Sequence, residues 1–290
     1  MIRKSPNIIH KLWSCSAILI ILFVWQLITG MGIIDAFLLP SPLQIGKTFF
    51  AELPILMEHS FISLAEAFTG LTLGILFGFF IAVIMDRFDF LYQAFYPLIV
   101  LTQTVPTVAI APLLVLWFGY EMAPKVILIV ITTFFPITIG LLTGFKSVDS
   151  DAVNLLRSMG AGSGQIFRYI KFPGAMDQFF SGLRISASYA VVGAVISEWL
   201  GGFGGLGVYM TRVKKAFSFD KMFAVIFLIS IISLLMMQGV ELLQQLCMPW
   251  KQNGGSYEKK QKPLEHCCSD SDSFCNRLRF KNRIHHQSRS

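Results

Sequence analysis

Six apolar runs, each long enough to cross a bilayer, dominate the chain and leave an all-α fold as the only architecture it can build in lipid. A hydrocarbon core of roughly 30 Å needs about 20 apolar residues in a helix, and lipid-exposed backbone must satisfy its own hydrogen bonds. The runs extend from Leu12 to Ile33, Phe61 to Met85, Phe90 to Phe118, Lys125 to Phe145, Leu183 to Leu200 and Met222 to Met248. Composition agrees: 54% of the 290 residues are hydrophobic and 14% charged, with a mean hydropathy of +0.63, outside the range of a soluble domain. The first run follows Arg3, Lys4 and Lys11 but has no small-residue cleavage site, so it reads as a retained helix and not a signal peptide.

Lys and Arg in the loops set the orientation. With the amino terminus inside, the cytoplasmic side receives Arg87, Lys146, Arg157, Arg168, Lys171, Arg184 and the basic tail; the outer side receives Lys47, Lys125, Arg212, Lys214, Lys215 and Lys221. Both termini are therefore expected in the cytoplasm. The net charge of +7 reflects this topology and does not point to nucleic acid. Cys15, Cys247, Cys267, Cys268 and Cys275 form no disulfide framework when placed in spans or on the reducing side.

Two stretches imitate binding motifs. "SPLQIGKT" ends at Gly46, Lys47 and Thr48 like a phosphate-binding loop, but Ser41 stands where the motif needs its first glycine, Pro42 lies inside, and no strand precedes it. The segment around it, with Pro40, Pro42 and Pro54, reads as a short interfacial helix. From Lys251 the composition turns polar, as a disordered tail does and as a frameshifted extension past Trp250 also would. Its His266, Cys267, Cys268, Cys275, His285 and His286 lack the spacing of a structural zinc site. No metal site or catalytic constellation is expected. Residues 1–250 are expected to form the membrane domain.

Within the spans, Gly70, Gly74 and Gly78 form a doubled G-x-x-x-G stripe, which lets a neighbouring helix approach closely; Gly140 and Gly144 repeat the spacing once more. The third run contains Pro97, Pro106 and Pro112, and helix breakers at membrane depth are tolerated where the freed backbone lines a cavity. Thr102, Gln103 and Thr104 form a polar notch at that break and are candidates to line a pathway. Glu66 and Glu198 are costly at such positions, so each is expected to pair with a neighbour or serve transport; Glu198 joins the pathway candidates.

Between the fourth and fifth runs lies "NLLRSMGAGSGQIFRYIKFPGA", Asn154 to Ala175, a basic interruption in an apolar chain. Asp149 or Ser150 can cap a helix through Arg157, Gly160 to Gly164 supplies a turn, Gln165 to Ile170 makes a second short helix, and Pro173 is expected to end it. Met159, Ile166 and Phe167 are available as apolar contacts. Two short helices at a bend, too polar to insert, are suited to dock into a groove on another protein.

This stretch resembles the cytoplasmic loop of type I ABC importer permeases, whose pattern is E-A-A, three residues, Gly, nine residues, Ile-x-Leu-Pro. Gly160, Ile170 and Pro173 match it; Phe172 replaces the leucine, and Asn154, Leu155 and Leu156 replace the acidic-Ala-Ala opening. "LLPSPLQI", "QTVPTVAIAPLLVLWFGY", "SGLRISASYAVVGAVISEWLGG" and "GGLGVYM" resemble the subgroup carrying nitrate, alkanesulfonates, taurine and thiamine-precursor pyrimidines. The resemblance implies a six-helix permease in a prokaryotic plasma membrane, paired with a second copy. A solute-binding protein would deliver cargo outside, and two cytoplasmic ATPase subunits, using ATP and Mg, would engage the loop at about 149–178. This chain would bind no cofactor. The docking residues so implied are Arg157, Ser158, Met159, Gly160, Ala161, Gln165, Ile170 and Pro173. "LLRSMGA", "QIFRYIKFPGA" and "FFSGLRISASY" are most similar to the pyrimidine-precursor members, with sulfonate, taurine or nitrate as the alternative cargo.

A secondary transporter would show internal repeats and a midplane ion site, and an intramembrane enzyme would need a catalytic cluster inside the spans. Neither pattern is present in the sequence, where none of His10, His59, His266, His285 and His286 lies deep in a run.

Overall fold

The computed structural model describes residues 6–249 apart from 33, 34 and 36, with side chains described from residue 16 onward except 18. The tail from Lys251, with its cysteines and histidines, the amino-terminal Arg3 and Lys4, and the side chains of Lys11 and Cys15 lie outside the described residues. Among the described residues there are only helices: α1 Pro6–Gly30, α2 Pro42–Ala51, α3 Leu53–Arg87, α4 Asp89–Thr102, α5 Thr107–Phe118, α6 Met122–Lys146, α7 Ser150–Ser158, α8 Ser163–Ile166, α9 Phe172–Trp199, α10 Leu206–Lys215 and α11 Phe219–Cys247, with a π-helical turn Phe167–Lys171 leading into α9. Residues 241–249 belong to a second compact unit, whose described part holds the closing turns of α11.

Among the described residues, four helical stretches are long and apolar enough to cross a membrane: Leu53–Arg87, Met122–Lys146, Ser163–Trp199 and Phe219–Cys247. The third sequence run is not a straight span. Its two halves, α4 and α5, meet at 95° across Gln103–Pro106, because Pro106 can neither donate to the preceding turn nor let its predecessor remain helical. In α1 the apolar helix among the described side chains is the shorter Leu19–Gly30.

The core is the packing of α6 between α3 and α9. The glycine stripe of α3 lies against α6: a Cβ at Gly70 would meet the side chain of Ile129 at 2.5 Å, one at Gly74 would collide with the Thr133 hydroxyl, and one at Gly78 would sit 3.0 Å from the Phe134 carbonyl. On the other side of α6, a Cβ at Gly140 would meet the Gln178 carbonyl at 2.6 Å and one at Gly144 would meet the Ala175 Cα at 2.6 Å. Close backbone approach replaces the hydrophobic drive that lipid does not supply. Hydroxyls then join the helices: Ser186 Oγ donates to the Thr133 carbonyl at 2.7 Å, and Thr138 Oγ1 reaches the Gly78 carbonyl at 3.3 Å. Leu128, Ile129, Ile137 and Leu141 fill the centre with 0% exposure.

Candidate functional site

Among the described residues, polar chemistry gathers at the basic loop, at the break between α4 and α5, and in a buried charge cluster at the far end of α9, with a further group around Glu52 outside the spans. In the loop, Asp149 Oδ1 accepts the Asp151 N–H at 2.9 Å and starts α7. The helix stops at Gly160, whose φ of +83° is open to glycine at no steric cost. The Gly160 N–H donates to the Arg157 carbonyl and the Ala161 N–H to the Leu156 carbonyl, both at 3.0 Å. That pair of bonds is the Schellman closure. Gln165 Oε1 then accepts the Gly162 N–H at 2.9 Å, fixing the entry to α8.

Pro173 does not end the second short helix. Instead, α8, the π turn and α9 run on as one 37-residue stretch, Ser163–Trp199. The Phe172 N–H bonds to the Phe167 carbonyl, five residues back, and this wider turn accommodates Pro173, which has no N–H to donate, at the start of α9. The fifth span therefore begins at the loop and not at Leu183. Ile166 and Phe167 also differ from expectation. Ile166 is 5% exposed, and Phe167 packs on Phe145 and Phe172 at 5.4 and 6.3 Å, so both anchor the loop. The apolar side chains it presents outward are Leu155, Met159 and Tyr169, at 62%, 77% and 66% exposure. Arg157, Ser158, Gly160 and Gln165 are exposed beside them, while Ala161, Ile170 and Pro173 are half-buried. Leu155 and Tyr169 escaped the sequence reading because their exposure depends on how α7 and the π turn are held.

A cleft of about 630 Å³ lies behind the loop, between Val153, Arg157 and Phe167 on one side and Asp86, Arg87 and Asp89 on the other. Lys171 crosses it, donating to both oxygens of Asp86 at 2.8 Å. The loop is thus tethered to the end of α3 by a partly exposed ion pair, with space beside it.

At the α4–α5 break a cavity of about 290 Å³ is lined by Thr102, Gln103, Pro106, Thr132 and Tyr189 among others, none of them charged. The Thr102 and Thr132 hydroxyls donate to the Ile99 and Ile129 carbonyls, leaving their lone pairs as acceptors. Thr104 is exposed but is not among the lining residues.

Glu198 is not in that cavity. It is 1% exposed and accepts the Ser63 hydroxyl at 2.6 Å and the Gly207 N–H at 2.5 Å. Nearby, Lys125 Nζ donates to Glu66 Oε1 at 2.6 Å, with side-chain exposures of 7% and 6%. Lys125 is therefore part of a buried pair and not a loop charge. Outside the spans, Glu52 lies 2.6 Å from Lys221 Nζ and 2.9 Å from the Tyr209 hydroxyl; these two bonds, Lys221 first, hold its carboxyl below the usual range. Burial, then the bond to Glu52, raises the Tyr209 phenol. The phosphate-loop mimic is helical: Gly46, Lys47 and Thr48 lie inside α2.

Residues 74–247 match the family described as binding-protein-dependent transport system inner membrane component. A formylaminopyrimidine transport permease protein, ThiX, of Halalkalibacterium halodurans is 36% identical over 234 residues, 80% of this chain and 93% of the relative. The taurine transport system permease protein TauC of Escherichia coli is 29% identical, covering 82% of this chain and 89% of its own. Among solved structures, the inward-facing MetNI methionine ABC transporter aligns with a TM-score of 0.58 at 16% identity, over 68% of this chain and 97% of that one. The fold is that of a type I ABC importer permease, a transport subunit whose ATPase is a separate protein. With its spans, its loop and these relatives together, the chain belongs to the binding-protein-dependent transport system inner membrane components, the permease subunits of ABC importers.

Proposed function

We propose that this permease imports a thiamine-precursor pyrimidine, formylaminopyrimidine or hydroxymethylpyrimidine, as a homodimer driven by a cytoplasmic ATPase that uses ATP and Mg. Both termini lie in the cytoplasm and the solute arrives from an external binding protein. The observation that carries the cargo assignment is the uncharged lining at the α4–α5 break. The Gln103 amide offers a donor and an acceptor, as an aminopyrimidine edge does, and Tyr189 offers an aromatic face. A sulfonate or nitrate there would meet no cation, and an anion taken from water without a paired charge is costly. The 36% relative, a formylaminopyrimidine permease by name, supports the same reading.

The loop performs the coupling. Leu155, Met159 and Tyr169 form an apolar surface rimmed by Arg157 and Gln165, of the kind that buries on docking. Because Ser163–Trp199 is continuous, a displacement at the loop travels along one rod of roughly 55 Å. Uptake in proteoliposomes holding this chain, its ATPase and its binding protein tests the cargo. Labelled formylaminopyrimidine should accumulate with ATP, and Gln103→Leu should reduce the rate about tenfold or more. ATP-driven uptake of taurine or nitrate in its place would reassign the cargo.

A further inference from the structure

Glu198 is the next-to-last residue of α9, and its carboxylate grips the start of the following helix. One oxygen accepts the Gly207 N–H directly, and the other accepts the Ser63 hydroxyl, whose oxygen accepts the Leu206 N–H at 2.8 Å. A carboxylate on the first N–H groups of a helix is held by both hydrogen bonds and the helix dipole. The approach is close enough to exclude any side chain at Gly205 or Gly207. A Cβ at either position would collide with Glu198 or the Val195 carbonyl, and Gly205 has a φ of +117°. His59 Nδ1 accepts the Gly205 N–H at 3.1 Å, closing the grip from α3. The rest of α10 is joined to Glu52 through Tyr209.

One continuous stretch therefore has the basic loop at its start and a carboxylate clamped to another helix at its end. We propose that Glu198 is the positioning residue that transmits movement of the loop to α10, so that the two ends of the permease change together. This rests on the assignment of the loop as the ATPase-docking surface. A structural cap would only hold α10 in place; a transmission point also ties the response to the loaded binding protein to hydrolysis in the ATPase docked at the loop. Gln at this position can keep the arrangement, with Oε1 accepting from Gly207 and the amide donating to Ser63 Oγ, whose hydroxyl then turns to the His59 carbonyl, 3.3 Å away.

The test uses the full complex in proteoliposomes and reads basal ATP hydrolysis, its stimulation by the loaded binding protein, and uptake. Glu198→Ala should keep basal hydrolysis within about twofold of wild type while stimulation and uptake each fall about tenfold or more, and Glu198→Gln should stay within about threefold on all readouts. Retained stimulation and uptake in Glu198→Ala would overturn the inference. So would a parallel loss of basal hydrolysis in that variant, which would mark a cap needed for folding alone. Failure of the docking assignment would appear elsewhere, as ATPase association that survives changes at Leu155 and Met159.

Discussion

Lys125 and Glu66 meet at 2.6 Å across the α6–α3 contact, with no more than 7% of either side chain exposed. A buried pair of this kind adds little net stability relative to apolar residues, but removing one partner strands a charge.

Lys125→Met should therefore destabilise the protein by about 3–5 kcal/mol, whereas Lys125→Met with Glu66→Leu should recover much of the loss. Thermal unfolding in detergent, compared for the single and double variants, checks this. A double variant no more stable than the single one would contradict the pairing.

Close helix approach predicts a graded response along the glycines. Gly74→Val and Gly144→Val each place a side chain into a neighbouring helix and should cost about 1–3 kcal/mol or more from overpacking. Gly46→Ala, where a Cβ meets nothing within 4 Å, should leave Tm unchanged or raise it. Melting curves of the three variants in one detergent decide the ranking.

At Gly160 the space is open but the backbone is left-handed: a Cβ meets nothing within 4 Å, while φ is +83°. Strain and not collision should set the order, with Asn tolerated best and Val worst, Ala in between at about 1–2 kcal/mol. ATPase association should follow that order while membrane insertion stays constant, as judged by pull-down and by membrane fractionation.

Glu52 supplies the pH dependence. Its carboxyl is held below its usual value of 4.5 by Lys221 and Tyr209, so its contribution is fully present above the unfolded value and is lost as pH falls through the lowered folded one. The group is partly exposed, which limits the effect to about 0.2–1 kcal/mol. The Tm difference between wild type and Glu52→Gln should be constant near neutral pH and shrink on acidification below the ordinary carboxylate range. A difference that grows in acid would contradict the assignment.

The spanning helices were legible in the sequence because each is a long apolar run, and the loop because its charges and glycines interrupt two such runs; α10, with Arg212, Lys214 and Lys215 in its last turn, was not. Pro106 announced a break in the third run, but not that the chain turns by 95° there; that angle is set by how α4 and α5 pack. Pro173 misled because the π turn before it shifts the hydrogen-bond register, a feature without a sequence signature. Glu198 was visible as a costly acid, yet its partner Ser63 is 135 residues away in sequence, and no local pattern encodes such a meeting. The outward faces of Leu155 and Tyr169 and the inward faces of Ile166 and Phe167 were illegible for the same reason.

In the proposed mechanism the loop is the place where an ATPase engages this permease. The most direct measurement is co-purification of the cognate ATPase with wild type and with Leu155→Asp/Met159→Asp, two exposed positions outside the packed core. Wild type should form a stoichiometric complex and the double variant should lose it, with expression and melting temperature retained. An ATPase that binds the double variant as well as wild type would contradict that mechanism.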